Sequence, residues 1–271
     1  MSGYICLEIT PSDLLQERRY TYYQLTNQSF QDASCLAQEM PLSITFNGIN
    51  HSVMMLTPQD IGDFTVGFSL SYQIIQHPSD ILDMQLNVLG DALEVEVTLN
   101  NRAFWQLKST KRELAGSTGC GLCGVSALEQ ALPQLTPLTV SDLPNAQYLQ
   151  GLRERIQPYQ VLAEKSGALH AALFFDAQGE VVLCREDIGR HNALDKLIGA
   201  LYRQKIACDQ GFVVMTSRSS LELLQKTVRA GIHTLVSLSA PSSLTVDWAR
   251  KHNLNLIHVP HQSPARVYSP Q

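Results

Sequence analysis

Apolar and polar positions follow two different rhythms along this chain. Pro41 to Phe46 and Ile49 to Met55 are β-favouring runs on either side of Asn47-Gly48, the dipeptide that best marks a tight hairpin. Thr57-Pro58 opens a predicted helix that runs to about Ile75, with proline in its first turn. Met84 to Leu89 and Leu93 to Leu99 flank Gly90-Asp91 and read as a second hairpin. In its second run Leu93, Val95, Val97 and Leu99 alternate with Glu94, Glu96 and Thr98, so one face of that strand meets water.

The last third alternates between strand and helix. Leu169 to Phe175 and Glu180 to Cys184 form a predicted hairpin around Asp176 to Gly179. His191 to Arg203 carries Ala193, Leu194, Leu197, Ile198 and Leu201 on one helical stripe. Phe212 to Met215 is a short buried strand, and Leu221 to Ala230 a helix stopped by Gly231. His233 to Leu238, Ser243 to His252 and Leu254 to Val259 read as strand, helix and strand. Such alternation predicts an α/β fold with a mostly parallel sheet and helices on its faces. Between the two regimes lie Gly116, Gly119, Gly121 and Gly124, then Pro133, Pro137, Pro144 and Pro158. This is loop and linker chemistry broken by short helices. The expected organisation is an N-terminal β-rich domain over 1–110, a loop and linker over 111–165, and a C-terminal α/β domain over 166–271.

Composition narrows the function classes. A chain of 271 residues with 44% apolar residues buries enough surface to fold without disulfides or metal. Charged residues make up only 17%, which favours a partner or a homo-oligomer. The net charge of −5 argues against bulk affinity for nucleic acid or an acidic membrane. There is no apolar run long enough to span a bilayer and no signal-peptide pattern, so a cytoplasmic protein is expected. The six cysteines then read as reduced thiols and not as a disulfide framework.

The sharpest local motif is Gly119-Cys120-Gly121-Leu122-Cys123-Gly124. Four readings are open. Half of a zinc site would need histidines to complete it, because no second cysteine pair exists. A zinc nucleobase deaminase needs H-x-E ahead of P-C-x-x-C; no histidine here has an acid two residues on, which excludes that reaction. A thioredoxin-type pair belongs at a helix start after a strand, whereas these glycines favour a loop. The fourth reading is a thiol that carries sulfur as a persulfide, for which glycines beside each cysteine clear the approach of two partners. The plain alternative is a pair of cysteines in a turn. Lys108, Lys111 and Arg112 lie just upstream, as thiol-activating cations or as a solvated basic face.

A second polar run, Arg185 to Lys196, joins a strand to an amphipathic helix. The run reads either as caps and turns, for which Asp187 or Asn192 would suffice, or as Glu186, Asp187, Arg190 and His191 projecting from a strand end into one pocket. His170 reads as a mid-strand histidine, more simply a core residue than a ligand. Trp105 and Trp248 read as packing residues. The expected carboxyl ends of the parallel strands are Ser217-Arg218-Ser219-Ser220, Ser239 to Ser243, and Val259 to Pro264, where an α/β sheet places ligands. Two of these lead into helix N-termini, which suits an anionic ligand.

Taken together, Thr118 to Gly124, Arg185 to Lys196 and Ser217 to Lys226 resemble the FdhD family, the formate dehydrogenase accessory sulfur carriers. The likeness runs from about Glu39-Met-Pro-Leu42 to Tyr268, nearly the whole chain. It includes Asn47-Gly-Ile49, Val53-Met-Met55, Phe64 to Leu70 and Ser237 to Thr245. The resemblance implies a cytidine-deaminase-like, three-layer C-terminal domain without deaminase activity, an N-terminal β-rich domain, and a homodimer. It implies a sulfurtransferase: a cysteine desulfurase loads Cys120 with persulfide sulfur, Cys123 shares or resolves it, and the carrier sulfurates a molybdenum or tungsten bis-guanine-dinucleotide cofactor for formate dehydrogenase. That cofactor is a substrate, and no stoichiometric zinc is expected. The family's guanine-nucleotide segment falls on Val259, Pro260, His261, Gln262, Ser263 and Pro264; Ser217, Arg218 and Ser219 are expected to line the same pocket, with the Ser-rich strand ends, Arg190 and Arg218 meeting phosphates. The family often has an aromatic residue, then a basic residue and glycine in that loop; Val259, His261 and Ser263 stand there instead. Leu169 stands where the family commonly has threonine. Two other functions compete with sulfur transfer: a cofactor-binding chaperone without sulfur chemistry, and a zinc hydrolase on the same fold.

Overall fold

The computed structural model describes residues 19–116 and 133–270. A hairpin comes first, the exposed β1 (Arg19–Gln24) against β2 (Asn27–Cys35). Next come β3 (Met40–Phe46) and β4 (Ile49–Leu56), paired around Asn47-Gly48 as expected. Both turn residues have positive φ, 46° and 76°, as a type I′ turn requires. Helix α1 spans Ile61–Ser71, and β5 (Ile81–Leu89) and β6 (Ala92–Leu99) form the second hairpin. The four strands lie in the order β4-β3-β6-β5, so two hairpins meet through a parallel β3–β6 pair. Helix α2 (Asn101–Gly116) follows.

Helix α1 starts at Ile61 and not at Thr57-Pro58. Thr57 is held in place by long-range bonds: its N–H donates to Asp187 Oδ2 (3.0 Å), and its carbonyl accepts from Lys196 Nζ (2.9 Å). The chain then turns through a left-handed Asp60 before the helix begins. Local propensity places the start early because those partners are 130 or more residues away.

The larger sheet has six strands in the order β12-β11-β10-β9-β7-β8. Ahead of it in the chain lie the short helices α3 (Leu152–Ile156) and α4 (Val161–Ser166). Then come β7 (His170–Asp176), β8 (Val181–Asp187), α5 (Arg190–Arg203), β9 (Gly211–Arg218), α6 (Leu221–Arg229), β10 (Thr234–Ser239), α7 (Ser243–Lys251), β11 (Asn255–His258) and β12 (Arg266–Ser269). The expectation of a mostly parallel sheet is corrected. Only β9–β10 and β10–β11 are parallel; β7–β8, β7–β9 and β11–β12 are antiparallel. The two βα crossovers make the parallel centre, while the β7–β8 hairpin and the returning β12 close the two sides.

Strand alternation divides this sheet between two cores. Ala172, Phe174, Val213, Met215, Leu235 and Leu256 pack against α5, α6 and α7. Ala171, Leu173, Phe175, Val214, Val236 and Ile257 face Leu149, Leu152 and Ile156 on and beside α3. The β3–β6 sheet, α1 and α2 enclose a third core around Leu42, Phe64, Phe68 and Val95.

Helix α1 joins the two sheets. It is buried almost all round, one side on its own sheet and the other on α5. A Cβ at Gly67 would run into the Asp195 carbonyl, and one at Gly199 into the Asp63 carbonyl, so the two backbones cross where only glycine fits. Asp63 also accepts from Arg185 Nη2 (2.7 Å) and Arg203 Nη1 (2.5 Å). No helix among the described residues is long and apolar enough to cross a membrane. Trp248 is buried, as expected of a packing residue, but Trp105 is 62% exposed on α2, a correction. Its neighbour Phe104, not Trp105, turns toward the core.

Candidate functional site

The parallel centre of the six-stranded sheet places several chemistry-bearing residues at one end. The carboxyl ends of β9, β10 and β11 lie side by side. Because β7 is antiparallel to β9, its first residue, His170, lies at that same end, opposite Asp187 of β8. His170 is thus a half-buried strand-end residue, not a mid-strand one. The register is tied by Thr216 Oγ1, which accepts from the Ala171 N–H at 2.9 Å.

Around the end of β9 the side chains converge. His191, in the first turn of α5, lies 3.0 Å through Nε2 from Ser220 Oγ and 3.5 Å from Glu222 Oε2. Ser220 precedes α6 and makes no side-chain cap, so among the described residues that helix N-terminus has no side-chain cap of its own. By contrast, Ser242 and Thr245 close the start of α7 with a reciprocal capping box. Ser217 is buried and donates to the Arg218 carbonyl (3.2 Å); Ser219 is buried with its hydroxyl unpartnered among the described residues; Arg218 is exposed. Glu222 Oε1 accepts from Tyr72 at 3.0 Å, which connects this cluster to the end of α1.

Two of the acids in the Arg185–Lys196 run act as caps and turns. Glu186 accepts from the Leu162 and Ala163 N–H groups, both at 2.8 Å, and so holds the start of α4. Asp187 is fully buried against Lys196. Arg190 and His191 remain at the strand end, where Arg190 acts electrostatically on both His170 and His191.

Burial pulls the His170 imidazole below its ordinary range; Arg190 adds to this and Asp187 opposes it. Burial also lowers His191, with Glu222 opposing and Arg190, Lys226 and His170 reinforcing. The folded chain therefore takes up these protons less readily than the unfolded chain. As pH falls through the ordinary histidine range near ~6.5, the unfolded state binds more protons and stability declines. We expect the melting temperature to drop between about pH 7.5 and about pH 5.5, and His170→Asn to flatten that drop. An unchanged slope in the variant would remove His170 from the account.

The loop Val259 to Pro264 lies apart from this cluster. With Ala146 to Glu154 it encloses a cavity of about 500 Å³. Val259, Pro260, His261, Ser263 and Pro264 line it, and Ser217, Arg218 and Ser219 do not. The expectation that both segments line one pocket is corrected: they lie at one end of the sheet but in different surroundings. Gln150, Arg153 and Glu154 complete the cavity, and sequence reasoning missed them because their segment reads as linker.

Cys120 and Cys123 lie outside the described residues, as do the side chains of Lys111 and Arg112. Lys108 sits over the Phe104 ring at 4.3 Å from its centroid. Of the other cysteines, burial pushes the Cys184 thiol up to about 12 and Cys208 up to about 11, with Glu186 and Asp209 adding to the respective shifts. Neither is a thiolate near neutral pH. Among the described residues no group of three His, Cys, Asp or Glu side chains is placed to hold a metal ion.

Comparison with known proteins agrees with this architecture. A solved structure from Desulfotalea psychrophila, assigned as a formate dehydrogenase accessory protein, superposes with a TM-score of 0.69 over 94% of this chain and 96% of its own, at 21% identity. At that identity the likeness speaks for the fold alone. The chain is 43% identical over 235 residues to the sulfur carrier protein FdhD of Bordetella bronchiseptica, covering 86% of this chain and 85% of that protein. It is 39% identical over 242 residues to the FdhD of Acinetobacter baylyi, covering 87% and 86%. The sequence model of the FdhD/NarQ family matches residues 37–271. The chain belongs to the FdhD/NarQ family.

Proposed function

We propose that this protein is a sulfur carrier for formate dehydrogenase maturation, acting through a persulfide on Cys120. The observation that carries the reading is the glycine-flanked Cys120–Cys123 pair in a chain about 40% identical to proteins named sulfur carriers. The donor is a cysteine desulfurase persulfide. The Cys120 thiolate attacks its outer sulfur; a new S–S bond forms on Cys120 and the donor leaves as a thiolate. Release is balanced by the second cysteine. The Cys123 thiolate attacks Cys120 Sγ, a Cys120–Cys123 disulfide forms, and hydrosulfide leaves for the acceptor.

The acceptor in this reading is the molybdenum or tungsten bis-guanine-dinucleotide cofactor, bound as substrate and passed to formate dehydrogenase. The cavity beside Val259 to Pro264 supports a nucleotide base there, being of ligand size and partly apolar. The N-terminus of α6, with Arg218 and Ser219 beside it, supports a place for phosphates. A homodimer working in the cytoplasm, where thiols stay reduced, belongs to the same reading, as do a cytidine-deaminase likeness and the absence of a zinc requirement.

The test is intact-mass measurement after incubation with a desulfurase and cysteine. The wild-type chain should gain one sulfur atom, lost again on reduction, and Cys120→Ser should gain none. If the wild-type mass does not change, sulfur carriage is wrong and a cofactor-binding chaperone takes its place.

A further inference from the structure

The cavity beside Val259 to Pro264 has chemistry that bears on which base it takes. One wall is the loop after β11; the other is the segment from Ala146 into α3. Arg153 fastens the two together. Its Nη2 donates to the Leu238 carbonyl at 2.8 Å and the Val259 carbonyl at 3.3 Å, so the ends of β10 and β11 are tied to α3. Leu149, Leu152 and Val259 are buried and give the cavity an apolar side.

Among the described residues Glu154 is the one carboxylate that lines this cavity. It is exposed, in the first turn of α3, and takes part in no ion pair among the described residues. The neighbouring Arg153 is committed to two carbonyls. The cavity therefore offers a base two adjacent acceptor oxygens with no intramolecular claim on them among the described residues.

We propose that Glu154 is a specificity-determining residue that reads the Watson–Crick edge of guanine, one carboxylate oxygen accepting from N1–H and the other from the C2 amino group. The inference rests on the reading that this loop takes a guanine nucleotide, and it names the group that selects the base. Two parallel donors meeting a carboxylate make a fork-to-fork pair, stronger and more directional than a single bond. Hypoxanthine keeps N1–H but lacks the amino group. Xanthine puts a carbonyl oxygen against the carboxylate, and adenine puts the N1 lone pair there. Each competitor leaves an acceptor unpaired or repelled, which is how a polar site rejects an analogue.

Calorimetry with GDP, IDP, XDP and ADP on the full chain tests this. The wild type should bind GDP about ten-fold or more tighter than IDP, and XDP and ADP more weakly still. Glu154→Gln, which sets an amide donor against the donors of the base, should bring the GDP-to-IDP ratio close to one. Glu154→Asp, which keeps the charge, should retain a preference for GDP. The ratio is the readout because a general loss of folded protein lowers both affinities together. An unchanged ratio in Glu154→Gln overturns the role of Glu154 and leaves the guanine reading standing. No binding of GDP by the wild type overturns the guanine reading and this inference with it.

Discussion

Cys120→Ser should reduce activation of the client formate dehydrogenase to background while the protein still folds. A serine hydroxyl is not ionised near neutral pH and cannot hold sulfane sulfur, so the substitution removes the carrier step and little else. Changing Cys6, Cys35, Cys184 or Cys208 singly to serine or alanine should leave activation largely unchanged. For Cys184 and Cys208 the reason is physical: both are protonated thiols held well above the neutral range by burial. The measurement is formate dehydrogenase activity in cells that carry only the variant, beside the circular dichroism and melting temperature of the purified chain. Full activation by Cys120→Ser would sink the carrier mechanism and leave the binding-chaperone reading in its place.

Elements with strong local signals were legible in the sequence. Asn47-Gly48 and Gly90-Asp91 marked two hairpins correctly, and the stripe from Ala193 to Leu201 marked α5. What local pattern could not supply was anything decided by distant partners. Local pattern starts α1 too early because Thr57 is held by Asp187 and Lys196. Alternation predicts a mostly parallel sheet because it does not encode pairing order: β7 pairs antiparallel with β9 as well as with β8. The hairpin β1–β2 was missed although Tyr20 to Tyr23 is a β-favouring run, and β12 is only four residues long.

The site was legible in kind more than in arrangement. Val259, Pro260, His261, Ser263 and Pro264 line a cavity of about 500 Å³ and Gln262 does not, while the opposite wall, with Arg153 and Glu154, comes from residues that read as linker. The Arg185–Lys196 run was ambiguous for a physical reason. Carboxylates that cap helices and carboxylates that bind ligands share one sequence signature, and burial decides between them. Glu186 and Asp187 are buried and bonded within the fold, whereas Arg190 and His191 face the strand end.

That distinction carries the second large effect expected. Lys196→Met should destabilise the fold by about 3–5 kcal/mol, since removing one partner of a buried pair leaves the other charge uncompensated. Lys196 and Asp187 are both fully buried, 2.7 Å apart. Lys196 also donates to the carbonyls of Thr57 (2.9 Å) and Glu186 (3.2 Å). Asp187 in turn accepts from the N–H groups of Thr57 (3.0 Å) and Gly189 (2.8 Å) and from Asn192 Nδ2 (3.1 Å). An apolar replacement of both partners is often neutral for an isolated buried pair, but here it would orphan those donors as well. The double variant Lys196→Met/Asp187→Leu should therefore remain destabilised relative to the wild type. Urea denaturation of the wild type, both single variants and the double variant measures the coupling. Because Thr57 precedes α1 and Asp187 ends β8, the loss should loosen the junction between the two sheets. Folded variants of wild-type stability that no longer support dehydrogenase activation would show instead that Asp187 belongs to the functional site.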